Sequence, residues 1–147
     1  MYKLKKGLFT LLIVLAGSLA LVSCDDDHDR FADRISQFPW EVDLGYDMHG
    51  EKLISVFKFF YDGTGLECIE TFDGELIGEF RFRWQLGYRR YGDFIGIRYI
   101  DVPRDSNNEY FDEIEIRGDE MYALHYLNRY DFEDQIEPYE VTFLELY

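Results

Sequence analysis

The sequence predicts an all-β domain: an antiparallel up-and-down meander closing into a barrel of about eight strands, with a two-sheet β-sandwich as the alternative. Three observations carry this reading. Apolar and polar residues alternate with period two after residue 50, the repeat that sends successive side chains to opposite faces of a strand. Turn chemistry breaks the alternation at short intervals, as Asp62-Gly63-Thr64-Gly65, Asp73-Gly74 and Gly118-Asp119. Consecutive strands joined by short turns pair with one another, and closure removes edges that would otherwise template aggregation.

The elements follow in order. Residues 29–38 allow one short helix through Phe31, Ile35 and Phe38, and Trp40 starts the first strand. Residues 53–61 are rich in aromatic and β-branched side chains, and residues 66–72 continue after the Asp-Gly turn with Leu66, Cys68, Glu70 and Phe72 on one face. The cleanest alternation runs through residues 77–88, where Phe80, Phe82, Trp84 and Leu86 point one way and Arg81, Arg83 and Gln85 the other. Residues 89–93 turn the chain, 94–101 return, and 103–108 form a polar loop. In the next strand Tyr110, Asp112, Ile114 and Ile116 alternate with Phe111, Glu113, Glu115 and Arg117. Residues 121–128 form a further strand, 130–138 read as an acidic connection, and 139–146 close the chain.

The beginning of the chain has a different character. Lys3, Lys5 and Lys6 precede a 15-residue apolar run from Leu8 to Val22. That run falls short of the roughly 20 residues a membrane-spanning helix needs, and it fits the short core of a secretory signal. Leu21-Val22-Ser23-Cys24 resembles the bacterial lipobox, in which an apolar and a small residue precede a cysteine. The resemblance implies cleavage before Cys24 and lipidation of its thiol. Acyl chains stabilise membrane attachment by roughly 0.8 kcal/mol per buried methylene, so two or three of them anchor a protein durably. Asp25-Asp26-Asp27-His28-Asp29 reads as a solvated tether and is similar to acidic export signals that carry Bacteroidota lipoproteins to the cell surface. The expected organisation is therefore a signal peptide at 1–23, a lipidated cysteine and acidic tether at 24–37, and a barrel domain at 38–147.

Composition limits the partners. All 30 acidic residues but only 12 of the 15 basic residues lie after Cys24, which leaves a net charge of −18 on the 124 remaining residues. A field of that sign disfavours nucleic acid and anionic lipid headgroups. The 13 Phe, 12 Tyr and 2 Trp supply the core that a disordered acidic chain lacks. Cys68 is the one cysteine of the body, so no intradomain disulfide forms, and its place in an alternating strand reads as a small buried hydrophobe.

Trp40, the Phe59-Phe60-Tyr61-Asp62-Gly63-Thr64-Gly65 turn, Phe82-Arg83-Trp84 and the hairpin from Ile114 to Leu124 occur in an order that resembles the small lipocalin-like lipoproteins of Bacteroidota. The resemblance spans about residues 38–147 and implies a lipocalin-like barrel in the cell envelope. Its motifs are turns and core aromatics, which identify a fold and not an activity.

Little in the chain points to catalysis. His28, His49 and His125 lack metal-binding spacing, and there is no nucleophile elbow, phosphate loop or dinucleotide fingerprint. Neither metal nor cofactor is expected, and no enzyme class is indicated. With 30 acids, carboxylate pairs are unavoidable and carry no information. Arg81, Arg83 and Arg98 stand out on aromatic strands of a cation-poor chain. Facing the interior, they would bind a carboxylate or stack on a sugar; otherwise they pair across strands with Glu67, Glu79 or Glu113. The candidate ligand-binding set is Phe82, Arg83, Trp84, Arg98 and His125, with His125 read as a pocket-wall or core residue. The expected function is a binding or accessory module for a small apolar ligand or glycan, lipid-anchored at the outer membrane through Cys24. The alternative is a filled barrel that docks to another envelope protein.

Overall fold

The computed structural model describes residues 26–89, 92–100, 102 and 108–147. The signal segment, the lipobox with Cys24 and most of the loop expected at 103–108 lie outside the described residues. Two compact units divide between Phe31 and Ala32. In the first, residues 26–31 are helical and begin α1, Asp26–Gln37. The second, Ala32–Tyr147, therefore starts within the segment read from the sequence as tether.

Eight antiparallel strands form a closed barrel in sequence order. They are β1 (Trp40–Tyr46), β2 (Lys52–Phe59), β3 (Thr64–Thr71), β4 (Leu76–Arg89), β5 (Gly92–Tyr99), β6 (Asn108–Arg117), β7 (Glu120–Tyr126) and β8 (Tyr139–Glu145). Closure comes from β1 against β8, where Trp40, Glu41 and Val42 face Glu145, Leu144 and Phe143. The two-sheet alternative is thereby set aside.

Register sorts the side chains into an inner and an outer set, because directly opposed residues share a face. Phe57, Phe59, Phe82, Trp84, Ile95, Ile97, Tyr99, Phe111, Met121 and Phe143 are all buried. Phe57 is the hub of this core, with its ring centroid 5.7–6.2 Å from those of Phe59, Phe82, Phe111 and Phe143. Most of these contacts are tilted or edge-to-face, the arrangements that ring quadrupoles favour. A cluster of packed aromatic rings thus occupies the interior.

The C-terminal half of α1 closes one end of the barrel. Ile35 is fully buried, and Trp40 donates its indole N–H to the Ile35 carbonyl at 2.9 Å. Arg34 lies 5.1 Å from the Trp40 ring centre, donates to the Gly118 carbonyl at 2.9 Å and pairs with buried Glu145. One guanidinium therefore ties helix, β6–β7 turn and β8 together. At the β2–β3 turn the Asp62 carboxylate accepts from the backbone N–H and hydroxyl of Thr64, at 2.9 and 2.6 Å.

Residues 130–138, read as a connection, hold a short helix α2, Arg129–Asp134. Asn128 caps it, accepting from the Asp131 backbone N–H at 2.8 Å. Phe132 anchors α2 to the outer wall, stacked on Tyr110 at 4.2 Å and beside Phe94 and Tyr126. Six residues are too few to show a helical period in sequence.

Gly65 exposes how tightly the interior fits: a Cβ added there would lie 2.0 Å from the Phe82 ring. Gly65→Ala is expected to lower stability by about 1–3 kcal/mol, the usual cost of overpacking. Urea unfolding measures this as a fall in midpoint at unchanged slope; an unchanged midpoint would show that the core has slack.

Candidate functional site

The five residues singled out from the sequence do not converge. Phe82 and Trp84 belong to the core. The Trp84 indole N–H donates to the Phe60 and Thr64 carbonyls, at 3.0 and 2.9 Å, and so pins the β2–β3 turn. His125 is half-buried, stacks on Phe111 at 4.6 Å and meets Glu109 through Nε2 at 2.8 Å. A further acid, Glu67, accepts from the Ser55 hydroxyl at 2.7 Å and from the Tyr99 hydroxyl. These polar groups are satisfied inside an aromatic core, as buried polar groups must be.

Arg83 and Arg98 point the other way. Both are exposed on the outer wall and face each other directly across β4 and β5. The cross-strand neighbours of Arg83 are Thr64 and Arg98, not the glutamates that alternation suggested. A polar row runs across four strands as Thr64, Arg83, Arg98 and Asn108. The parallel row beside it is Gln85, Gly96 and Tyr110.

Between these rows lies an open groove of about 540 Å³, lined by Arg83, Gln85, Gly96, Arg98, Tyr110 and Arg129 among others. The size falls within the range of small-ligand clefts. Gly96 makes the notch: a Cβ there would sit 3.4 Å from the Tyr110 ring and 3.7 Å from Gln85 Cγ, and a longer side chain would fill the space. Tyr110 is held as a rigid wall by its stack on Phe132. That stack is itself fixed by Arg89, which lies 4.1 Å from the Phe132 ring centre, donates to the Phe132 carbonyl at 2.6 Å and stands 3.7 Å from buried Asp112.

Electrostatics distinguishes this face. Three arginines share one groove on a chain with 30 acidic and 15 basic residues. Arg129 is paired with Glu133 at 2.7 Å. Among the described residues Arg83 and Arg98 have no ion-pair partner. Like charges directly opposite one another across strands are unfavourable, and an anion lying between them relieves the repulsion. Sequence reasoning found Arg83 and Arg98 but missed Gln85, Gly96, Tyr110 and Arg129. The missing signal was register: Arg89 pairs with Gly92, and counting back from that pair sets Arg83 against Arg98.

No family model, curated protein or solved structure matches this chain. Among the described residues no group of three His, Cys, Asp or Glu side chains is placed to hold a metal ion, and no helix is long and apolar enough to cross a membrane.

Two buried groups titrate late. Burial pushes the Cys68 thiol above its ordinary 9.0, and burial followed by nearby Asp112 pushes the Tyr126 phenol above 10.0. Both groups are favoured in their neutral form by folding. Their contribution to stability is complete below those ordinary values and is lost as pH rises past them, because the unfolded chain ionises first. Urea midpoints should therefore fall as pH climbs through 9.0 and 10.0, and Cys68→Ser should remove the earlier part of the fall. A flat alkaline profile would contradict this assignment.

Proposed function

We propose that the chain is a lipid-anchored, lipocalin-like lipoprotein of the outer envelope that serves as a non-catalytic binding module. Its ligand is a small molecule or glycan fragment carrying an anionic group, held in the outer-wall groove and not inside the barrel. The observation that carries the reading is the facing pair Arg83 and Arg98 above the notch at Gly96, on a domain otherwise dominated by acids. The packing around Phe57 supports it from the other side, because those rings occupy the place where a lipocalin-like barrel would keep an apolar ligand. The resemblance to the lipobox at Leu21-Val22-Ser23-Cys24 supports the anchor, and the acids that follow Cys24 support display at the cell surface.

A second reading is a structural module that docks to another envelope protein. It draws on Phe72, Leu76 and Ile77, which stand exposed around the β3–β4 turn. The two readings separate in one experiment. The chain carrying Cys24→Ala, which takes no lipid at that position, is isolated from its host without denaturation, and its mass is measured before and after a wash at high ionic strength. An acidic adduct that leaves in the wash, and that is absent from Gly96→Leu, is the expected result, since exposed charge contacts are screened by salt. An apolar adduct that survives the wash would place the ligand inside the barrel. A bare polypeptide mass throughout would favour docking.

A further inference from the structure

We infer that the groove recognises the carboxylate of an acidic sugar, a uronic-acid residue of a glycan, with Arg83 and Arg98 clamping the carboxylate and Gln85 and Tyr110 meeting the ring beside it. The inference rests on the proposed binding role and names its ligand class.

Three features select a singly charged, hydroxylated ligand. The first is the cation pair. Arg83 and Arg98 are direct cross-strand partners, so their Cβ atoms stand roughly 4.5–5.5 Å apart. Two planar guanidiniums carried on directly paired residues of neighbouring strands can reach one carboxylate between them, a group that arginine recognises better than lysine does. The second is the size and lining of the groove. At about 540 Å³ it is far larger than an inorganic anion, and the space continues from the arginines to the Gly96 notch between Gln85 and Tyr110. The Gln85 amide offers both donors and an acceptor, the complement of sugar hydroxyls. Tyr110 adds an aromatic surface kept rigid by Phe132, so little side-chain entropy is lost on binding.

The third feature acts against more highly charged ligands. Asp62 lies on the rim of the same groove. Its hydrogen bonds from Thr64 hold its carboxyl below the usual range, so it remains an anion at neutral pH. Beside it, and in the negative field of a chain of net charge −15, each further negative charge on the ligand is repelled. A phosphate dianion meets that penalty twice, whereas a uronate meets it once. Asp62 also accepts hydrogen bonds, which the several hydroxyls of a sugar ring provide.

The test is calorimetric titration of the full chain at low salt with four probes: methyl β-D-glucuronide, methyl β-D-glucoside, acetate and inorganic phosphate. The glucuronide is expected to bind, with each other probe at least about tenfold weaker. Loss of one charged hydrogen-bonding partner in Arg98→Gln should weaken the glucuronide by about ten- to a hundredfold. Both arginines are exposed, and an unchanged thermal melt of the variant confirms that folding is intact. If phosphate or acetate binds as tightly as the glucuronide, the groove is a general anion site and the uronate assignment fails while the binding role stands. If the glucoside matches the glucuronide, the carboxylate clamp fails. If none of the four binds, or if Arg83→Gln with Arg98→Gln leaves the glucuronide affinity unchanged, both the assignment and the proposed role fall.

Discussion

The ring of Phe57 meets those of Phe59, Phe82, Phe111 and Phe143 near the middle of the barrel, and much else in the molecule follows from that meeting. Rings that pack edge-to-face leave little room for chain atoms of any other kind. Phe82 in turn requires a residue without a side chain opposite it, which is Gly65. The interior acids stay because each has a partner, Glu67 with Ser55 and Tyr99, Glu109 with His125. At one end Ile35 and Trp40 seal the core, with Arg34 bridging the helix, the Gly118 carbonyl and Glu145.

While the rings pack inside the barrel, the groove lies on its outer wall. On a barrel this small, a groove on the outer face needs a missing side chain in one strand and a raised element beside it. Gly96 supplies the first, and α2 with its Phe132–Tyr110 stack supplies the second. The same register that makes Phe82 and Tyr99 inner neighbours makes Arg83 and Arg98 outer neighbours one residue further along. Core and candidate site are thus two faces of one pair of strands. Much of the aromatic load is spent on the core, while Arg83 and Arg98 on the same pair of strands face outward.

The strands were legible because period-two alternation is a direct consequence of the pleat. The aromatic face of residues 80–86 and the turns at Asp62-Gly63 and Gly118-Asp119 fell where the alternation put them. Three features were less accessible. Helix α1 includes residues 26–28, which lie ahead of the segment whose apolar spacing indicated a helix, because acidic residues carry no apolar period to mark them. In β6 the register shifts between Asp112 and Glu115, with Glu113 at φ 50°, so one alternation rule does not hold along the whole strand. The groove combines residues from three strands, the β2–β3 turn and α2, and its composition depends on pairings that local pattern does not carry. Arg83 and Arg98 were visible as unusual; that they face each other was not.

Pressurised xenon probes the central claim most directly, because the gas enters dry apolar cavities without any need for chemical complementarity. Diffraction from a crystal of this chain under xenon should show no site among Phe57, Phe111 and Phe143. A well-occupied xenon atom between those rings would show that the barrel keeps an internal cavity, and the ligand would then belong inside it.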